Sequence, residues 1–296
     1  METLESLGRR IATTEDLRGI VRTMKSLSAV SIRQYEQAVR ALRDYRRTID
    51  QGLQVVLRAG PPRRAALHTD VGDGATLALV FGSDHGLCGR FNQDIARFAR
   101  ARLDEQGVAP RSRRFVVAGV RAAARLAAAD VAVDRTLPLA GAVEGLDETA
   151  RTLLLEIDAA RAEQSIARIL LFYNRRSPGA TARPQAIQLS PVEPRWLAHL
   201  ESRPWGSRRL PTFTMEPSAL LAALVRQHLF ISLFRAGAES AASEHATRLA
   251  TMQAAERNID DHLDEMNGAY RHRRQALITE ELLDVVAGFE ALTAAG

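Results

Sequence analysis

The sequence predicts an α/β protein of uneven build: an antiparallel coiled coil of long N- and C-terminal helices, with a central α/β domain around a mainly parallel sheet between them. Three observations predict it. All eleven prolines fall between Pro61 and Pro217, so 60 residues before them and 79 after them hold no helix breaker. A proline inside a helix removes a hydrogen bond and clashes with the preceding turn at about 3 kcal/mol. Both proline-free arms repeat apolar residues at alternating spacings of three and four, whereas the middle switches to short apolar runs separated by helical stretches.

At ~1.5 Å per residue the first arm could reach roughly 85 Å and the second roughly 115 Å, too long for a globule. In the first, residues 1–59, a heptad seam runs through Ile32, Tyr35, Val39, Leu42, Ile49, Leu53 and Val56, with Arg46 its one charged interruption. Upstream, Leu17, Ile20, Val21, Met24 and Leu27 form a second stripe of shifted phase, as expected where a supercoil unwinds or a different neighbour takes over. Ala59-Gly60-Pro61-Pro62 ends the helix.

The central domain is placed at 70–190. Thr76 to Phe81 is a short apolar run closed by Gly82, and a helical stretch from Asn92 to Glu105 follows. Arg114 to Ala118 and the alanine-rich Arg121 to Ala129 repeat the pattern. A helix from Asp147 to Gln164 and strands at Ile166 to Tyr173 and Gln185 to Leu189, around a turn at Arg176-Ser177-Pro178-Gly179, complete a Rossmann-like domain. Residues 191–216 form a connector, proline-rich and irregular over Pro191 to Pro211.

The second arm, 217–296, opens at Pro217, which suits a first helical turn. Leu249, Met252, Ile259, Leu263, Met266, Tyr270 and Leu277 hold its seam, and Ile278, Leu282, Val285, Phe289 and Leu292 continue it one position later. Antiparallel pairing leaves the second arm overhanging the first by some 20 residues, or about 30 Å. At that tip Leu283 and Val286 join the shifted set, and after Asp284 only Glu290 is charged. So much exposed apolar surface implies a covering partner.

Composition narrows the function. The chain is 46% hydrophobic and 25% charged, with Cys88 its only cysteine, so an intrachain disulfide is excluded and a reducing compartment is the easier home. The most apolar stretch, Ala219 to Phe234, is broken by Arg226 and His228, and the acidic start at Glu2 and Glu5 lacks a signal-peptide pattern; the expectation is a cytoplasmic protein that does not cross a bilayer. The net charge of +5 divides as +4 over residues 1–60, +5 over 61–217 and −4 over 218–296. Arms of opposite sign favour pairing with each other over nucleic acid, which would call for one sign along the whole length.

The loop Gly82-Ser83-Asp84-His85-Gly86-Leu87-Cys88-Gly89 lies after a strand and before a helix, where an α/β fold places phosphates. Its glycines follow neither the dinucleotide nor the phosphate-loop pattern, and the required loop lysine is missing, since Lys25 is the only lysine. Asp84, His85 and Cys88 could be imagined as a thiol nucleophile with its base, but adjacency in sequence is poor evidence for a triad; a structural or contact loop is the better reading. His228, His245 and His262 are seventeen residues apart and cannot share a metal. No catalytic residue, cofactor or metal site is expected in this chain. A cytoplasmic α/β enzyme dimerised through coiled-coil arms and a coiled-coil adaptor for nucleic acid or membrane are the competing readings.

The residues themselves resemble a family, the gamma subunits of F-type ATP synthases. The resemblance is carried by Ser243-Glu244-His245-Ala246-Thr247-Arg248, Met252, Ala255, Asn258, Tyr270, Arg274-Gln275-Ala276, Ile278-Thr279, Glu281-Leu282 and Gly288. It is carried again by the loop 83–89 with Phe91-Asn92, and more weakly by Arg10-Ile11, Ile20, Met24-Lys25 and Arg33. Asp16-Leu17, Ser31, His85 and Leu249 depart from the family's usual residues, which points to a divergent, ion-specialised form. The resemblance implies a rotor shaft inside three alpha and three beta subunits, with its base on the membrane c-subunit ring and the epsilon subunit alongside. It implies that Met24 and Lys25 face an acidic lever of a beta subunit, that Arg274, Gln275, Thr279 and Glu281 meet loops of the catalytic ring, and that the tip around Phe289 sits in the ring's upper sleeve. Asp84, His85, Cys88, Glu244 and Arg248 are carried over as further interface candidates.

Overall fold

Between Ala75 and Ser190 the apolar runs assemble a five-stranded sheet of order β3-β2-β1-β4-β5. Its strands are β1 (Ala75–Phe81), β2 (Arg113–Ala118), β3 (Arg135–Leu137), β4 (Ile166–Ser177) and β5 (Ala180–Ser190). β1 pairs in parallel with β2 and β4, β2 in parallel with β3, and only the β4–β5 hairpin is antiparallel. Parallel neighbours need crossovers, supplied by α2 (Phe91–Glu105), α3 (Val120–Ala127) and α4 (Leu146–Glu163). The computed structural model describes residues 3–59, 74–139, 141–163, 166–178, 180–209 and 211–294.

The chain divides into two units, Ser28–Arg248 and Met1–Leu27 with Leu249–Gly296. The N-terminal helix α1 (Leu4–Arg58) and the C-terminal helix α6 (Pro217–Ala294) contribute residues to both. In the larger unit the alternation along β1 sorts side chains to two faces. Leu77, Leu79 and Phe81 pack with Leu153 and Ile157 of α4 and with Leu229 and Leu233 of α6. Ala78 and Val80 pack with Ile95 and Leu103 of α2 and with Leu126 of α3. The segment after the sheet is not irregular as expected: Pro194–Ser202 forms a further helix, α5, with proline in its first turn and Leu197 and Leu200 buried. These leucines join Ile49, Leu53 and Val56 of α1 and Leu221 and Ile231 of α6 in a third core. Gln54 and Arg58 donate to backbone carbonyls at Glu201 and Arg203, which ties α1 to the end of α5.

The strand boundaries also differ from the pattern. β4 and β5 run to the hairpin, through Arg175 and Arg183, because ladder hydrogen bonds continue where the apolar run has stopped. β3 is three residues long and was not legible. The expected cap at Gly60 to Pro62 and the turn residue Gly179 lie outside the described residues. One 18-residue window of α6 reaches a mean hydropathy of 1.3 within 217–287, enough by length and composition for a bilayer span. The core has another use for this helix, since Leu221, Leu229, Ile231 and Leu233 are buried in the larger unit.

In the smaller unit the two chain ends lie antiparallel. A Cβ on Gly8 would come 3.8 Å from the Tyr270 ring, Arg18 reaches Asp260 at 3.4 Å, and Arg22 reaches Glu256 at 2.8 Å, so positions fall on one helix as they rise on the other. Leu7, Met252 and Leu263 are buried there. Leu17, Ile20 and Leu27 are not: they are 49%, 57% and 63% exposed, so the shifted upstream stripe is largely a surface face rather than a continuation of the seam.

Candidate partner-contact surfaces

The glycine-rich loop after β1 is held almost entirely by its own unit. The Gly82 N–H donates to the Ala118 carbonyl at 2.7 Å, and a Cβ at Gly82 would lie 2.2 Å from that of Ala122; only glycine allows this approach. The Ser83 N–H donates to Asn92 Oδ1 at 2.9 Å, and Asn92 Nδ2 donates to Ser83 Oγ at 2.7 Å. The Asp84 carboxylate accepts from the Val120 N–H, at the first turn of α3, at 2.8 Å and from the Leu139 N–H at 2.7 Å. A helix N-terminus after a β-strand is where such folds receive phosphate. Here the chain fills that place with its own negative charge.

Arg248 of α6 closes the loop from the other side. Its guanidinium donates to the Gly86 carbonyl at 3.3 and 3.2 Å and to Glu244 at 2.5 Å, with both side chains of the ion pair nearly buried. Burial pushes the Glu244 carboxyl up, and Arg248 pulls it back. His245 stacks on Tyr35 with ring centroids 5.7 Å apart. Burial, then Arg248 and His85, lower its pKa to about 4, while burial, then Glu244 and Glu144, raise that of Tyr35 to about 12. Cys88 is 2% exposed, and burial pushes its thiol up against the opposing hydrogen bond with Ser83. A buried thiol above its ordinary range is protonated and a poor nucleophile.

The candidate residues of this unit therefore separate. Asp84, Cys88, Glu244 and Arg248 turn inward and shape the loop, and His85 is exposed. The sequence missed Leu87 beside it, which is 57% exposed with a left-handed φ of 61° and so is held outward. It also missed the Ser83–Asn92 pair that fixes the loop, although Asn92 stands at the start of a helix directly after a glycine-rich turn.

In the smaller unit Lys25, expected to face a partner, pairs with Glu256, as Arg22 does. Hydrogen bonds from Lys25 and then Arg22 hold the Glu256 carboxyl below its ordinary range. Met24 is half-buried. Arg274, Gln275, Thr279 and Glu281 are all exposed, and the Thr279 hydroxyl donates to the Gln275 carbonyl at 2.9 Å. Every side chain from Arg271 to Ala287 is exposed, including Leu282, Leu283 and Val285 at 61%, 63% and 70%, and Phe289 is 68% exposed. Glu256 and Arg22 were missed individually; the opposite charge of the arms signalled such pairing without naming its members. Among the described residues no group of three His, Cys, Asp or Glu side chains is placed to hold a metal ion.

A three-layer α/β unit whose ligand-type loop is spent on internal bonds, and an end of α6 that leaves Leu282, Leu283, Val285 and Phe289 exposed, define an α/β protein built around two long helices. The chain belongs to the ATP synthase family, whose sequence pattern it matches over residues 3–292. It is 30% identical over 302 residues to the ATP synthase gamma chain of Anaeromyxobacter dehalogenans, covering 99% of this chain and all of the relative. Its fold is similar to a chain in the Euglena gracilis mitochondrial ATP synthase, in the cryo-EM structure of OSCP, F1 and c-ring in rotational state 3. That match has a TM-score of 0.65 at 17% identity and covers 99% of this chain and 95% of the other. A chain in the rotor of the same organism's enzyme, in rotational state 1, matches with a TM-score of 0.60 at 16% identity, covering 93% and 98%.

Proposed function

We propose that this chain is the central rotor shaft of a membrane-bound rotary F-type ATP synthase, coupling ion translocation mechanically to ATP synthesis or hydrolysis in the catalytic ring. Its partners are three alpha and three beta subunits, the epsilon subunit and the membrane c-subunit ring, and its place is peripheral, on the cytoplasmic face of a bacterial inner membrane. The observation that carries this reading is the run of exposed apolar side chains on α6 beyond Tyr270, in a chain aligned end to end with gamma chains. Among the described residues α1 begins at Leu4, about a turn before Gly8 meets Tyr270, and a foreign sleeve is what would cover the exposed stretch.

One asymmetric shaft in a threefold ring touches three otherwise identical catalytic sites differently. Each difference of about 1.4 kcal/mol in contact energy is a factor of about ten in nucleotide affinity at a site, and by reciprocity nucleotide binding pushes back on the shaft. Arg274, Gln275, Thr279, Glu281 and Phe289 supply those contacts high on α6, with Met24 and His85 lower down. Asp84, Cys88, Glu244 and Arg248 act from inside, and Lys25 acts with Glu256 in holding α1 to α6. Stiffness is what such a part needs, and paired helices supply it where a lone helix frays.

The test is reconstitution of the chain with its own alpha and beta subunits, followed by ATP hydrolysis and ion-pumping assays. The full chain is expected to assemble at one copy per three-to-three ring and to couple hydrolysis to pumping. A purified chain that hydrolyses ATP by itself, at a rate that changes in Cys88→Ser, would overturn the reading.

A further inference from the structure

Away from every surface discussed above, the larger unit holds a cleft of about 380 Å³ between α1, β4, β5, α5 and α6. Sites for small organic ligands start at roughly 300 Å³ and combine apolar lining with a few convergent polar groups. Tyr173, Ile187, Leu189 and Ile231 give the apolar part, and Trp196 and His228 set their rings 4.5 Å apart along it. Arg46, Arg175 and Arg235 line the same space from three different elements.

The charged groups around the cleft are loosely paired. Glu239 serves two of the arginines, lying 2.8 Å from Arg235 and 3.7 Å from Arg175. Asp50 lies 3.8 Å from Arg46, and burial pushes its carboxyl up, toward the neutral form. Glu239 Oε2 and Asp50 Oδ1 are buried without a hydrogen-bond partner, so neither carboxylate is in the forked geometry that would saturate a guanidinium. Glu193, the remaining acid of the lining, is exposed to solvent. The acids match the arginines in number, but Arg46 and Arg175 come no closer to theirs than 3.8 and 3.7 Å, beyond hydrogen-bond reach, so these two guanidinium groups keep donors for a further acceptor.

We propose that this cleft binds a small aromatic anion, with the planar body against Trp196 and Ile231 and the carboxylate or phosphate between Arg46 and Arg175. Aromatic rings and guanidinium forks are the two groups that recognise such a molecule. Because α5 forms one wall, occupancy would also fasten α5 to the helices it packs on.

The probe is 2-naphthoate, titrated by calorimetry into the full chain, with 2-naphthyl phosphate and uncharged 2-naphthamide alongside. A Trp205→Phe chain leaves Trp196 as its only tryptophan and reports the same event by fluorescence. Naphthoate or naphthyl phosphate is expected to bind at least tenfold more tightly than the amide and to change Trp196 emission, and Arg46→Gln with Arg175→Gln to weaken it about tenfold or more. Arg97→Gln with Arg102→Gln, on the outer face of α2, should leave the affinity unchanged, with circular dichroism confirming that both double variants are folded. The proposal fails if neither anion binds at millimolar concentration, if the amide binds equally well, or if both double variants lose affinity alike. None of these outcomes bears on the shaft reading, which rests on other surfaces.

Discussion

Replacing Arg248 by alanine should unfold the larger unit in a pH-dependent way, because it strands Glu244. Both side chains of the pair are nearly buried, and Arg248 also holds the Gly86 carbonyl through two hydrogen bonds. Removing one member of a buried ion pair costs about 3–5 kcal/mol, a large share of the ~5–15 kcal/mol that holds a domain folded. The sign with pH follows from Glu244, which burial already pushes up and Arg248, ahead of His85, pulls back. With the folded pKa raised further, the native state binds more protons than the unfolded one between the ordinary value, about 4.3, and the new one, so stability falls as pH rises through that window. Urea unfolding followed by Trp196 and Trp205, both in this unit, should show a larger deficit at pH 8 than at pH 5. The double variant Glu244→Gln, Arg248→Ala should recover most of the loss and the pH independence. A deficit equal at both pH values, or below about 1 kcal/mol at pH 8, would refute the argument that an uncompensated charge is the cause.

Other outcomes follow from the same structure. Gly82→Ala forces a Cβ to 2.2 Å from Ala122, and overpacking of this kind should cost about 1–3 kcal/mol by urea unfolding. His228 and His245 titrate near pH 4 because burial disfavours their charged forms; the unfolded chain takes up protons first, so stability should be lost as pH falls from about 6.5 to 4. His228→Gln with His245→Gln should flatten that limb in a pH series of thermal melts. Ending the chain after Asp284 removes exposed Val285, Val286 and Phe289 and should weaken ring assembly or coupling while leaving the urea midpoint of the larger unit unchanged. Glu256→Gln should speed hydrogen exchange in the helical turns around Arg22 and Lys25, most clearly at low salt, since these two lose their common partner.

The long helices and the mainly parallel sheet were legible because their signals are repeated many times: proline exclusion over two arms, and apolar runs such as Leu77 to Phe81. Elements defined by pairing rather than by their own residues were not. β3 is three residues beside β2, the first two exposed and only Leu137 half-buried, and the outer halves of β4 and β5 are polar, so only the neighbour's ladder reveals them. The helix α5 hides because Pro194 reads as irregular until Leu197 and Leu200 are seen to bury a face. At the candidate surfaces, Arg274, Gln275, Thr279 and Glu281 are exposed. Lys25 is half-buried against Glu256, a pairing across 231 positions that no local pattern could name.

Asp84 has one more consequence. A carboxylate seated on the opening turn of α3, with Arg248 and Glu244 pressed over the neighbouring loop, makes this crevice self-plugged. A phosphate brought to that turn would meet a carboxylate already holding the Val120 and Leu139 N–H groups.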